Sequence, residues 1–186
     1  MTLGLGPPRL ATQVEPFEEV FSAHFAEIHG YVARRLGADA AEDVVAETFL
    51  TAYRKRGSYD PVRGSVRAWL YGITTNLVGR HRRAELRALR ALGRRGLDPD
   101  QEGPEDRVAR RVSAEGLRPG LARALAALNR GERDVLLLVA LAGLTHEEIA
   151  QALGISYGTV GSRLSRARAK VKDSLGGANP MEDHHG

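Results

Sequence analysis

Ser156, Tyr157, Thr159, Ser162, Arg163, Arg166 and Lys170 fall within fifteen consecutive residues near the C-terminus. Arginine carries a planar fork that matches guanine O6 and N7, which makes Arg163 and Arg166 candidates for base reading. Hydroxyls at 156 and 159 sit where a helix would begin, within reach of bases or phosphates. Arg168, Lys170 and Lys172 suit the tracking of a phosphate backbone. Tyr157 is placed either to hydrogen-bond a phosphate or to pack. Between these polar residues, Val160, Leu164, Ala167 and Val171 recur at steps of four, three and four. At about 100° per residue the apolar set shares one helix face, and Thr159, Ser162, Arg166 and Lys170 share the opposite one, with Arg163 flanking.

The segment before this helix has the parts needed to aim it. Thr145 and Glu148 form a capping box, and Ala150 is small where two helices must cross. Gly154 can adopt the positive φ of a tight turn, Ile155 points into a core, and Ser156 caps the next helix. The pattern predicts a helix-turn-helix whose second helix enters a major groove. Helices are expected at 121–128, 132–142, 145–153 and 157–175, the second capped by Asn129. Three more are expected upstream. Phe17, Val20, Phe21, Phe25, Ile28, Val32 and Leu36 define an amphipathic helix that follows Pro16 and ends near Gly37. Asp39 with Glu42 reads as the cap of a second, carrying Val44, Val45, Phe49, Ala52 and Tyr53. After a turn over 57–64, Ser65 caps a long third helix with Val66, Trp69, Leu70, Ile73, Leu77, Leu86 and Leu89, basic in its second half. The expected fold is all-α, with two small helical domains at 16–92 and 121–175. A flexible linker at 93–120 joins them, with room for a short helix at 105–115, and flexible tails occupy 1–15 and 176–186.

Composition narrows the function. With 186 residues and no cysteine, the chain has no disulfide framework, thiolate metal site or cysteine nucleophile. No apolar run approaches the length of a bilayer span, and the N-terminus lacks a signal core, so a soluble cytoplasmic protein without membrane insertion is expected. The 27 basic against 23 acidic side chains average over blocks of opposite sign. Residues 1–50 hold three basic and eight acidic side chains, a net of −5, whereas 80–95 hold seven arginines and one glutamate, a net of +6. Residues 98–106 carry five acids and no base, and 163–172 five bases and no acid. Such alternation predicts several partner surfaces, at least one of them polyanionic. His24, His29, His81, His184 and His185 form no ligand set, and the glycines at 154, 158 and 161 lack the Lys-Ser/Thr of a phosphate loop. No catalytic residue, metal or cofactor is expected.

The N-terminal half adds a resemblance. Ala41-Glu42-Asp43-Val44-Val45-Ala46-Glu47-Thr48-Phe49-Leu50-Thr51-Ala52, then Arg67-Ala68-Trp69-Leu70-Tyr71-Gly72-Ile73-Thr74-Thr75-Asn76-Leu77 with Arg80, Arg82 and Arg83, resemble two conserved regions of the extracytoplasmic-function (ECF) sigma factors of bacterial RNA polymerase. The C-terminal helix-turn-helix is similar to that family's promoter-reading region. The resemblance implies a non-enzymatic initiation factor whose partners are core RNA polymerase, promoter DNA and an anti-sigma factor clamping both domains. It places Asp43 and Glu47 against the polymerase clamp, and Asn76, Arg80, Arg82 and Arg83 at the −10 element. Ser156, Tyr157, Thr159, Ser162, Arg163, Arg166 and Lys170 are placed at the −35 element. Trp69 and Tyr71 have the rings to stack on an unpaired base, although Trp69 shares the apolar face of its helix. The acidic 98–106 stretch is either a strand threaded through the polymerase RNA path or a plain spacer.

Three positions depart from the family pattern. Ala46 stands where glutamine is usual, Asn129 replaces a proline, and Gly161 replaces a basic residue. The last change puts a helix-destabilising glycine early in the reading helix. A LuxR-type activator shares such a C-terminal domain, but its N-terminal domain should contain strands and a sensory pocket, whereas this one reads as helix throughout.

Overall fold

A computed structural model describes residues 17–93 and 119–176. It contains α1 (Phe17–Leu36), α2 (Ala38–Lys55), a short 3-10 turn (Arg56–Ser58) and α3 (Val66–Gly93). After these come α4 (Pro119–Ala126), α5 (Arg130–Ala142), α6 (His146–Leu153) and α7 (Tyr157–Gly176). No strand occurs among the described residues, and none of their helices is long and apolar enough to cross a membrane. Of the expected linker, residues 94–118 with the acidic stretch and possible helix lie outside the described residues, as do 1–16 and 177–186, whereas Gly93, Pro119, Gly120 and Gly176 belong to helices.

The first three helices form a bundle. α1 starts with Glu18 and Glu19 and ends with Arg34 and Arg35, charges that oppose its macrodipole. Val20, Ile28, Tyr31 and Val32 are buried against Ala41, Val44, Val45, Phe49 and Ala52 of α2 and Leu70, Tyr71, Leu77 and Val78 of α3. Thr48 and Thr74 are buried too, and each returns its hydroxyl to the carbonyl four residues back. The α1–α2 junction corrects the expected cap: Gly37, at φ 86°, occupies the cap position and makes no side-chain bond, while Asp39 lies inside the first turn. With α2 starting this early, Asp39 contributes charge near the helix N-terminus rather than a cap. Ser65 caps α3 as its position predicts, accepting from the Ala68 amide at 3.1 Å.

The second four helices follow their caps closely. Asn129 and Glu132 form a reciprocal capping box at α5, as Thr145 and Glu148 do at α6. Gly143 and Gly154, both at φ 62°, end those helices in the left-handed region. Arg133 donates to the carbonyls of Leu125, Ala126 and Leu128, closing the end of α4. Val135 and Leu138 of α5, Ile149 of α6, and Val160 and Leu164 of α7 meet in the centre.

The two helical sets pack against each other. α3 lies along α6 and α1 touches α5, so that one hydrophobic core runs from Val20 through Tyr71 to Leu164.

Candidate nucleic-acid interface

The α6–α7 corner is built from backbone outward. Gly154 turns the chain, and the Ile155 amide returns to the Ala150 carbonyl at 3.1 Å. The Ser156 hydroxyl accepts from the Thr159 amide at 3.2 Å and lies 2.8 Å from the Thr159 hydroxyl, which fixes the first turn of α7. Val160, Leu164 and Ala167 are 0–2% exposed. Across the helix, Ser162, Arg166 and Lys170 are exposed, with Thr159 and Arg163 half-buried beside them. Tyr157 is 63% exposed, its ring 5.6 Å from that of His146. Thr159, Ser162, Arg166 and Lys170 thus share the side of α7 away from its core, with Arg163 flanking, whereas Ser156 precedes the helix and Tyr157, nine residues before Arg166, projects from another side.

A buried acid organises this face. Glu132 is 2% exposed. It receives the Lys170 ammonium at 2.8 Å, with the Arg166 guanidinium at 3.9 Å. The Lys170 hydrogen bond foremost, opposed by burial and aided by the Asn129 amide, holds the carboxyl below its usual range. Arg163 lies across the start of α5, where a β-carbon on Gly131 would stand 3.0 Å from the guanidinium. The sequence reading names Asn129 as the cap and does not single out Glu132, whose ion pair depends on a residue 38 positions away.

The basic half of α3 presents a second cationic surface. Asn76, Arg80 and Arg83 are exposed at steps of four and three, and so share a face. Asn76 accepts from Arg130 at 3.4 Å, and Arg80 pairs with Glu47 of α2. Arg82 does not join them. It turns inward to donate to the Arg35 carbonyl at 3.0 Å, leaving its Nε without a partner. Burial first, then repulsion from Arg35 and Arg133, lowers its pKa to about 10. The two rings considered for stacking are occupied. Tyr71 is buried edge-on to Tyr31, and Trp69 is half-buried with its ring 5.3 Å from that of Tyr59.

On α2, Asp43, Ala46, Glu47, Leu50 and Tyr53 are exposed. Next to them, Phe21 and Phe25, expected in the core, are each 40% exposed. They form an aromatic group with Phe49, and Phe17 meets Tyr53 edge-on. The apolar stripe of α1 is wider than the bundle can cover, which periodicity alone does not reveal.

Residues 20–88 match the model of sigma-70 region 2, and residues 120–171 match that of sigma-70, region 4. Over 145 residues the chain is 36% identical to the RNA polymerase sigma factor CnrH of Cupriavidus metallidurans, covering 72% of each chain. It is 32% identical to the sigma factor CarQ of Myxococcus xanthus, covering 87% of this chain and 90% of that one. The chain belongs to the ECF sigma factors. As such it directs promoter-specific initiation of transcription. Its fold is similar to that of CnrH solved with the cytosolic domain of CnrY, with a TM-score of 0.57 and 26% identity over 87% of this chain and 88% of that one.

Within this sigma factor, each of the three departures has a visible structural setting. Asn129 starts α5 with a complete capping box, so the missing proline costs the helix no start signal. Gly161 is half-buried on α7 with open space where a β-carbon would sit. Ala46 is exposed between Asp43 and Glu47, where a longer amide would fit.

Proposed function

We propose that this sigma factor engages the promoter through two separate faces and the polymerase through a third. The domains are region 2-like (16–92) and region 4-like (121–175). Ser156, Tyr157, Thr159, Ser162, Arg163, Arg166 and Lys170 read the −35 element from the major groove, Arg166 and Arg163 by forked hydrogen bonds to guanine. Asn76, Arg80, Arg82 and Arg83 engage the −10 element, where an unstacked base needs both charge and hydrogen-bonding edges. Asp43 and Glu47 meet a basic surface of core RNA polymerase. The factor performs no chemistry of its own, and it acts in the cytoplasm, where polymerase and promoters are found. The solved relative CnrH is held by the cytosolic domain of CnrY, and an anti-sigma partner is inferred for this chain as well.

The observation that carries this reading is the division of α7 into a core face that is 0–2% exposed and an exposed face of Ser162, Arg166 and Lys170. Reconstitution with core polymerase on a cognate promoter tests it. Arg166→Ala is expected to lose tenfold or more at one −35 position, matching about 1–3 kcal/mol per bidentate base contact. Arg80→Ala combined with Arg83→Ala is expected to impair strand opening at −10. Equal loss on all duplexes for Arg166→Ala would reduce that residue to a phosphate contact. Failure of the wild-type chain to bind core polymerase would overturn the whole reading.

A further inference from the structure

His146 opens α6 and is the only histidine among the described residues of the second helical set. The capping box of that helix is made by Thr145 and Glu148, so His146 has no part in it. Its imidazole is half-buried and meets the ring of Tyr157 at 5.6 Å, tilted by 59°. Tyr157 leaves α7 on a different side from Arg166, toward the start of α6, and is 63% exposed. The pair thus joins the first residues of the two helices that form the corner. Among the described residues, no hydrogen bond or ion pair holds the imidazole nitrogens.

The charged groups nearby are engaged elsewhere or point to water. Glu147 is exposed. Burial opposes the charge of Glu148, but the Thr145 amide and Arg67 outweigh it and hold the carboxyl below its usual range. Arg67 of α3 is shared between Glu148 and Glu27 of α1. From α7 the titratable group facing the imidazole is Tyr157 itself. When a helix-turn-helix docks, its second helix enters the major groove and its first crosses the sugar-phosphate backbone. The point where the two helix starts meet therefore falls at the edge of the groove, beside the phosphates. Histidine changes charge between pH 5 and 8, and a neighbouring anion favours its charged form. A charged imidazole donates from both ring nitrogens, so it can bond a phosphate oxygen while its ring stays against Tyr157.

The geometry points to a proton-dependent phosphate contact: His146, steadied by the Tyr157 ring, takes up a proton as the −35 duplex docks and pairs with one backbone phosphate at the edge of the groove. Binding to this element therefore tightens as the pH falls from 8 to 6. The contact adds affinity without reading a base. It rests on the assignment of α7 to the −35 element.

The test measures binding of the full chain to a −35 duplex at pH 6 and at pH 8, at one ionic strength. The parent should bind about fivefold more tightly at pH 6, within the limit of about tenfold per pH unit that uptake of one proton sets. His146→Gln should bind equally at both pH values, at the weaker level. His146→Lys, charged throughout, should bind equally at both, at the tighter level, which separates a lost charge from a damaged fold. His24→Gln and Tyr157→Phe should keep the pH effect of the parent. Duplexes in which one phosphate at a time is replaced by an uncharged methylphosphonate should include one that abolishes the effect in the parent. Absence of a pH effect in the parent, or its survival in His146→Gln, overturns the proposal. An effect that depends on His146 but survives every methylphosphonate overturns the phosphate as its partner. The −35 assignment fails differently: Arg166→Ala would then leave the ratio of −35 to random binding unchanged at either pH.

Discussion

Glu132 accepts from two donors, the Asn129 amide and the Lys170 ammonium, and pairs by charge with the Arg166 guanidinium at 3.9 Å. Its carboxylate thus sets where two groups of the reading face stand before DNA arrives, and it subtracts one charge from that face. Glu132→Gln keeps an oxygen for the capping box and removes the charge. Binding to random duplex is expected to rise several-fold, with a steeper dependence on salt because counterion release grows with net positive charge. The ratio of −35 to random binding should fall, since Arg166 and Lys170 lose their fixed anchor. Titrations of both duplexes at two salt concentrations check this, and an unchanged ratio would mean that Glu132 only caps α5. At the same scale, the inward turn of Arg82 onto the Arg35 carbonyl is not legible in the sequence. Its neighbours Arg80 and Arg83 are exposed, and only the packing of α1 against α3 decides that the middle arginine turns in.

Helices were legible where local chemistry defines their ends. The capping box at Thr145, the caps at Asn129 and Ser65 and the turn at Gly154 all involve partners within five residues, so the sequence carries them. The start of α2 was not legible, because Gly37 at a positive φ of 86° leaves a one-residue α1–α2 connection, with Asp39 already inside the helix. The four-helix half, with its closely spaced caps, was accordingly read more accurately than the first half. α7 keeps an element-level weakness in Gly158 and Gly161, both with open space where a β-carbon would go. Gly161→Ala should stabilise the isolated second domain by about 0.5–1 kcal/mol, a rise of several degrees in melting temperature. Specific DNA binding should improve slightly, because less ordering of α7 is left to the encounter. A lowered melting temperature would show that α7 requires a bend at this position.

Across the whole molecule, sequence patterns identified the two domains but not their mutual packing. Arg67 stands inside a motif read for its family resemblance, yet in the fold it joins Glu27 of its own bundle to Glu148 and Ala142 of the other. Nothing in the spacing of Arg67 and Glu148 announces that pairing, since the two are 81 residues apart. The wide apolar stripe of α1 shows the complementary failure. Phe21 and Phe25 follow the core periodicity and still emerge at the surface beside Leu50 and Tyr53, because two neighbouring helices cannot cover so broad a face. Short-range rules thus describe the parts, and the functional surfaces are divided by long-range packing.

A core that passes without interruption from Val20 to Leu164 also sets how the protein comes apart. Side chains that share one packed interior lose their order together, so calorimetry of the chain should show a single heat-absorption peak whose van't Hoff and calorimetric enthalpies agree. A β-carbon on Gly72 would stand 2.4 Å from the Ala152 backbone oxygen of α6, so Gly72→Ala should wedge the halves apart and replace the one peak by two smaller ones. The intact chain would then withstand heat and proteases as a whole, whereas the variant would hold two lesser domains, each exposed to cleavage on its own stability. The lifetime of the signal it carries would in that way be written into its thermodynamics.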